Sequence, residues 1–104
     1  MFIPRTETLW KWAKRKLGPS RCKVIKLCYR KDKWIGEWDW EGTIRLNIPQ
    51  IGSTSSIYRA LAHEWTHAQQ RYTDYRKLDR IYKYKYHPKE VEARKREREI
   101  WKSK

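Results

Sequence analysis

Residues 54–72 read TSSIYRALAHEWTHAQQRY, and this stretch decides the fold. Apolar side chains recur in it at helical spacing, so we predict one amphipathic helix from Thr54 to Tyr72. The predicted apolar face consists of Ile57, Tyr58, Leu61, Trp65, Ala68 and Tyr72. Because His63, Glu64 and His67 lie beside that face, we expect the helix to pack through its apolar side while the histidines open onto a cleft.

The same helix carries an HExxH motif, His63-Glu64-Trp65-Thr66-His67. Its two histidines are one helical turn apart and point the same way, so their imidazoles can bind one zinc ion. Glu64 then lies beside the metal, where it can act on a metal-bound water. The competing interpretation is a pair of polar histidines with surface hydrogen bonds, and their position off the apolar face with a Glu between them disfavours it.

A catalytic zinc site needs a third protein ligand and one open position. The candidates are Glu90, Glu92 and His87. Glu90 is favoured because it lies in the first turn of the last predicted helix, beside the connection that returns from the motif helix. Glu92 is rotated by about 200° from Glu90 on a regular helix, so only one of the two can face the metal. The other would be solvated or would support a histidine.

The remaining pattern predicts an α+β domain with a small three-stranded antiparallel sheet. We predict helices over 6–17 and from Pro88 onward, and strands over 22–29, 33–40 and 43–48. In the last strand, TIRLNI, apolar and polar residues alternate, which is typical of a half-exposed strand. Asn47 is on its polar side, so we expect this side chain to face outward.

Length and composition indicate a single domain spanning 1–104 with a strongly basic surface. The chain has 26 Lys and Arg against 12 Asp and Glu, a formal charge of +14. Neither a signal peptide nor an apolar run of transmembrane length is evident, so we expect a cytoplasmic protein without a membrane partner. Cys22 and Cys28 are about 20 Å apart if they lie on one strand, so we expect two reduced thiols.

HEWTH followed by Glu90-Val91-Glu92-Ala93 resembles the gluzincin group of zinc metallopeptidases, whose third ligand is a Glu that begins an ExxA stretch on a later helix. The chain length is similar to that of the minigluzincins, minimal soluble relatives of integral-membrane metallopeptidase domains. The resemblance covers about residues 6–101. It implies zinc as cofactor, His63, His67 and Glu90 as its ligands, and Glu64 as general base in the hydrolysis of a peptide or protein substrate.

Three further expectations follow from this resemblance. TIRLNI would bind the substrate main chain as an added antiparallel strand, with Asn47 as a contact. The oxyanion donor would be His87 or one of Tyr72, Tyr75, Tyr82, Tyr84 and Tyr86. Arg94 stands where relatives often carry an Asp that supports a zinc histidine, so Glu92 or Asp74 is the candidate replacement.

Other functions compete with this one. The basic charge and the segment YRKLDRIYKYKY, with Tyr and Lys interleaved, are compatible with a nucleic-acid-binding module. An SprT-like protease acting on DNA-bound protein would use His87 as third ligand. A purely structural zinc site is disfavoured because such sites usually have four ligands and favour Cys. One terminal segment, 1–6 or 100–104, is a candidate to cover the cleft and keep the enzyme latent.

Overall fold

The computed structural model describes residues 1–71, 76 and 87–102, with side chains as far as residue 99. The predicted α+β class is confirmed. The elements are helices α1 (Thr6–Leu17), α2 (Thr54–Gln69) and α3 (Pro88–Lys102), strands β1 (Val24–Cys28), β2 (Gly36–Trp38) and β3 (Thr43–Asn47), and a 3-10 turn (Ile48–Gln50). The connection 73–86 and its tyrosines fall outside the described residues, apart from the helical Arg76.

Helix α2 begins and packs as its sequence requires. The Ser53 hydroxyl accepts a hydrogen bond from the Ser56 amide and so caps the first turn. Four of the residues predicted on its apolar face are fully or almost fully buried: Ile57, Leu61, Trp65 and Ala68. The motif helix therefore forms the centre of the core, and its position is fixed by packing on the side opposite the histidines.

The C-terminal end of α1 is held by α2. Gly18 ends the helix with a φ of 87°, a left-handed conformation that glycine adopts without steric cost. The Trp65 indole donates to the Gly18 carbonyl at 2.9 Å, and the Gln69 amide donates to the Leu17 carbonyl at 2.6 Å. These bonds satisfy carbonyls that the end of a helix leaves without partners, so they join α1 to α2.

The three strands form one mixed sheet in the order β1-β3-β2. β2 and β3 are an antiparallel pair, whereas β1 runs parallel to β3. The prediction of an entirely antiparallel sheet is therefore wrong for the β1–β3 pair. The reason is a crossover, because the chain leaving β1 passes over the end of β3 before it enters β2.

Asn47 is the residue around which this crossover folds. Its side-chain oxygen accepts from the Arg30 amide at 2.7 Å, and its side-chain nitrogen donates to the carbonyls of Trp34 at 2.6 Å and Arg30 at 3.3 Å. Asn47 is 0% exposed, so the expectation that it faces outward is wrong. β3 is also the central strand and pairs on both sides, so it has no open edge for a substrate strand.

The state of the two cysteines and the length and polarity of the helices both bear on the expectations from sequence. Cys22 is buried, Cys28 is half-buried, and both are free thiols, as predicted. Within the described residues, every helix is too short or too polar to traverse a lipid bilayer.

Candidate metal centre

Three side chains from two helices meet in one cluster. His63 and His67 come from α2, and Glu90 comes from the first turn of α3. One ligand atom from each can be chosen so that all three lie within 4.8 Å of one another. The imidazole rings are 5.0 Å apart between centroids, which is the separation expected for residues one helical turn apart.

Glu90 faces both histidines at once. One carboxylate oxygen lies 2.8 Å from His67 Nε2, and the other lies 3.3 Å from His63 Nε2. Glu90 is only 2% exposed, although carboxylates are rarely buried unless they are paired. Of the three candidates for third ligand, the fold thus brings Glu90 to the motif.

The other nitrogen of each imidazole has its own partner. His67 Nδ1 lies 2.7 Å from the side-chain oxygen of Gln70, and His63 Nδ1 lies 3.3 Å from a carboxylate oxygen of Glu97. Both partners are acceptors, so each Nδ1 is the donor. A proton on Nδ1 leaves the lone pair of Nε2 to face Glu90 whenever the imidazole is neutral. Such outer hydrogen bonds are typical of histidines that bind a metal through the opposite nitrogen.

The donor set fits a cation. With Nδ1 as donor, a neutral imidazole presents a lone pair from Nε2 to the Glu90 carboxylate, which also offers only lone pairs. A positive charge, either protons or a metal ion, must therefore stand between them. Burial lowers the pKa of His63, but the Glu90 and Glu97 carboxylates outweigh it and raise this pKa to about 10. Two imidazoles and one carboxylate are a ligand set that zinc accepts.

Glu64 lies next to the cluster and lines two adjoining cavities. Burial raises the pKa of its carboxyl group, the two histidines of the motif lower it, and Glu90 raises it further. The raised pKa makes Glu64 a better proton acceptor than an exposed glutamate. Gly36 at the start of β2 allows close approach here, since a Cβ at this position would lie 3.0 Å from the Arg45 carbonyl and 3.7 Å from Glu64 Cγ.

Two cavities adjoin at Gly36, His63 and Glu64. The smaller, of about 170 Å³, is lined by all three cluster residues, by strand β2 including Trp38, and by Trp40. The larger, of about 590 Å³, extends away along the N-terminal half of α2. Together they form a cleft that runs past the cluster beside β2, one of the two edge strands of the sheet.

The wall formed by Trp40 depends on a tight turn. Trp40 has a φ of 66°, which is uncommon for a residue other than glycine. The Asp39 carboxylate supports this turn by accepting from the amides of Glu41 at 2.7 Å and Thr43 at 3.0 Å. Trp40 contacts Trp38 edge to face, with ring centroids 6.2 Å apart. The turn therefore holds an indole against the cluster side of the cleft.

Several predicted site residues lie elsewhere or serve another purpose. His87 is 0% exposed and lies outside the three-residue cluster, and its Nδ1 accepts from the Lys89 amide at 3.1 Å at the start of α3. Asn47 holds the crossover. Glu92 is exposed, and its carboxylate accepts from the Gln70 side chain at 3.3 Å, so it supports His67 only through Gln70. The candidate tyrosines and Asp74 fall outside the described residues.

The sequence reasoning missed Gln70 and Glu97. Gln70 is three residues after His67 and is 5% exposed. Its side-chain nitrogen also donates to the Lys89 carbonyl at 3.1 Å, which ties the end of α2 to the start of α3. Glu97 is two turns after Glu90 on the same face of α3. Both spacings were visible, because helical residues separated by three, four or seven share one face.

Comparison with protein-family models, with curated proteins and with solved structures finds no match to this chain. The geometry of the cluster and the cleft is therefore what indicates a function.

Of the two terminal segments that are candidates to cover the cleft, only the N-terminal one has described side chains. The N-terminal segment lies against the start of α2, where the Thr54 hydroxyl donates to the Phe2 carbonyl at 2.5 Å. Residues 1–6 line neither cavity of the cleft. The side chains of 100–104 fall outside the described residues.

Proposed function

We propose that this protein is a zinc-dependent metallopeptidase of the gluzincin type, acting in the cytoplasm. The observation that carries the proposal is the buried Glu90 carboxylate, which faces Nε2 of both motif histidines while each Nδ1 is held by an acceptor. His63, His67 and Glu90 would hold the ion. A zinc ion bound there would polarise the scissile carbonyl and make a coordinated water acidic.

The chain's own residues supply the remaining chemistry. Glu64 would take a proton from the attacking water and pass it to the departing amine. Its partly buried position favours this role, because burial raises its pKa toward the range in which a carboxylate accepts and returns protons. Glu97 and Gln70 would hold the two imidazoles in the required orientation and tautomer.

The substrate main chain would lie along β2 rather than β3. β2 pairs with β3 on one side only, and it borders both cavities at Gly36. An extended peptide can add to such an edge through main-chain hydrogen bonds. Gly36 has no side chain to separate that peptide from Glu64, so this arrangement would bring the cleaved bond close to the base.

The competing functions have less geometric support. A third histidine ligand, as the SprT-like alternative requires, would have to be His87, which is outside the cluster. A nucleic-acid-binding module rests on the basic charge and on the Tyr- and Lys-rich segment 75–86, most of which falls outside the described residues. Its binding would weaken steeply with salt. Peptide hydrolysis is therefore the function that the arrangement of the cleft favours.

The test combines metal content with cleavage. We expect elemental analysis to find one zinc per chain in the wild type, in Glu64→Gln and in the exposed control Glu41→Gln. Cleavage of an unstructured protein should fall by about a hundredfold or more in Glu64→Gln only. Glu90→Gln should lose zinc. Full activity in Glu64→Gln, or no zinc in the wild type after zinc is supplied, would refute the proposal.

A further inference from the structure

The larger cavity of about 590 Å³ adjoins the candidate metal centre, and the proposed chemistry uses only its rim, His63 and Glu64. Four separate parts of the chain form its walls: the residues that lead into β2, the loop 50–52, the N-terminal half of α2, and one face of α3. Its size is sufficient for a side chain and a short stretch of peptide. A substrate bound along β2 would have to place residues in it.

Cations from three of these four walls line this cavity. Lys33 precedes β2, Arg59 belongs to α2 and Arg94 belongs to α3. The anions that line it are Glu64, the proposed base, and Glu97. Glu97 is engaged, because its carboxylate reaches Arg59 at 3.5 Å and His63 at 3.3 Å. The lining is therefore cationic on balance, and its cations converge from different elements.

Apolar side chains also line this cavity. Ile35 and Ile51 contribute to the lining beside Gly36. Charges along a cleft with apolar walls act in a medium less polar than bulk water, so their attraction for an anion is stronger than on an open surface. The cavity can thus enclose a ligand group, and its net positive lining favours a group that is negatively charged.

The direction of β2 indicates which part of a substrate enters this cavity. β2 begins with Gly36 at the larger cavity and ends with Trp38 at the smaller one. Antiparallel pairing is slightly more stable than parallel pairing. A peptide paired antiparallel with β2 therefore runs from the Trp38 end toward the Lys33 end. Residues on the C-terminal side of the cleaved bond would occupy the larger cavity.

We propose that the larger cavity binds a carboxylate of the substrate on the C-terminal side of the cleaved bond, with Lys33 and Arg94 as determinants of specificity. This inference rests on the proposed peptidase function. The carboxylate has two sources, the side chain of an Asp or Glu after the cleaved bond and the terminal carboxylate of the substrate. Arg59 is bound to Glu97, which contacts His63, so its first role is to position that partner.

The experiment uses the zinc-loaded full chain and a matched set of peptides. One position after the cleaved bond carries Glu, Gln or Leu in peptides with amidated ends, and a further Gln peptide ends in a free carboxylate shortly after the bond. Each partly exposed charge pair contributes at most about a fivefold factor, so we expect kcat/KM for Glu over Gln to be about tenfold. The ratio should fall as salt is added. The free-end peptide separates the two sources.

Matched variants distinguish an effect of the charges that line the cavity from an effect of the net charge of the protein. Lys33→Gln and Arg94→Gln should each lower the Glu/Gln ratio about threefold. Lys31→Gln and Lys95→Gln remove the same charge from exposed neighbours outside the cavity lining and should leave the ratio unchanged. Equal rates for all peptides, or equal effects of all four variants, would overturn the inference.

A binding measurement separates failure of this inference from failure of the proposed function. The same peptides are titrated by fluorescence anisotropy against zinc-loaded Glu64→Gln. Cleavage without a carboxylate preference would leave the peptidase proposal standing and reject the cavity's role. Absence of any cleavage would reject the peptidase proposal, and tighter binding of the carboxylate peptides would then still support the selectivity of the cavity.

Discussion

Replacing Gln70 by Met tests whether the hydrogen bond to His67 Nδ1 matters for metal binding. Gln70 is 5% exposed and makes three side-chain contacts, to His67 at 2.7 Å, to the Lys89 carbonyl at 3.1 Å and to Glu92 at 3.3 Å. Met has a similar length and no strong acceptor. The variant therefore keeps the volume of the site but removes the group that orients the imidazole.

The expected magnitude follows from the position of this bond. Loss of an outer hydrogen bond to a metal-binding histidine typically weakens metal affinity tenfold to a hundredfold, or by about 1.4 to 2.7 kcal/mol. The bond to His67 is short and buried, so we expect the upper part of this range. The other two bonds concern the packing of α3 on α2, and their loss should lower the free energy of unfolding by about 1 kcal/mol each.

Zinc affinity is measured by competition with a chromophoric chelator, and Gln69→Met is the matched control. Gln69 makes a similar number of bonds, but they reach the carbonyls of Leu17, Gly18 and Pro19 at the end of α1. We expect Gln69→Met to lower stability while changing zinc affinity less than about twofold, because no bond to the metal centre is lost. An unchanged zinc affinity in Gln70→Met, or equal losses in both variants, would refute the reasoning.

Three further predictions concern protons and the core. Because the Glu90 and Glu97 carboxylates outweigh burial and hold the pKa of His63 at about 10 in the metal-free chain, zinc must displace its proton at neutral pH. Calorimetry of zinc binding in buffers of different ionisation enthalpy should find at least one proton released. The same raised pKa stabilises the metal-free fold below pH 6.5, and this contribution is lost as the pH rises toward 10. Asn47→Asp replaces the donor of two buried bonds by a carboxylate facing carbonyls, so urea titration should show a loss of about 3 kcal/mol that shrinks at low pH, where protonation restores a donor. Burial raises the pKa of Cys22 from 9.0 to about 11, so iodoacetamide at neutral pH should label the half-buried Cys28 alone until urea unfolds the chain.

The helices of this fold were accessible from sequence, whereas the order of the strands was not. The limits of α1 and the start of α2 follow from apolar periodicity and from residues that cap or stop helices, which are local signals. The three strand segments carry no comparable local signal that indicates which strand pairs with which. The sheet order β1-β3-β2 depends on Asn47, whose amide draws the crossover loop over the end of β3. An alternating strand pattern predicts such an Asn to be exposed, because the loop that buries it is distant in sequence.

The candidate metal centre was likewise accessible from sequence only in part. The spacing of His63 and His67 and the position of Glu90 in the first turn of α3 favoured the three residues that meet, with Glu92 and His87 left as alternatives to Glu90. The partners Glu97 and Gln70 depend on how α3 crosses α2, which no single segment determines. A search for acceptors at helical spacings of three and seven from the ligands would have included both.

The cluster joins two helices that are far apart along the chain, and this has a consequence for folding. If zinc binds as proposed, it closes a loop between His67 and Glu90, much as a covalent cross-link would. Closing a loop of this size removes freedom from the unfolded chain and is worth about 3 kcal/mol in the chain-entropy description. For a small domain that is a large share of the total, so docking of α3 would depend on metal supply. A chelator would then loosen the last helix as well as abolish cleavage.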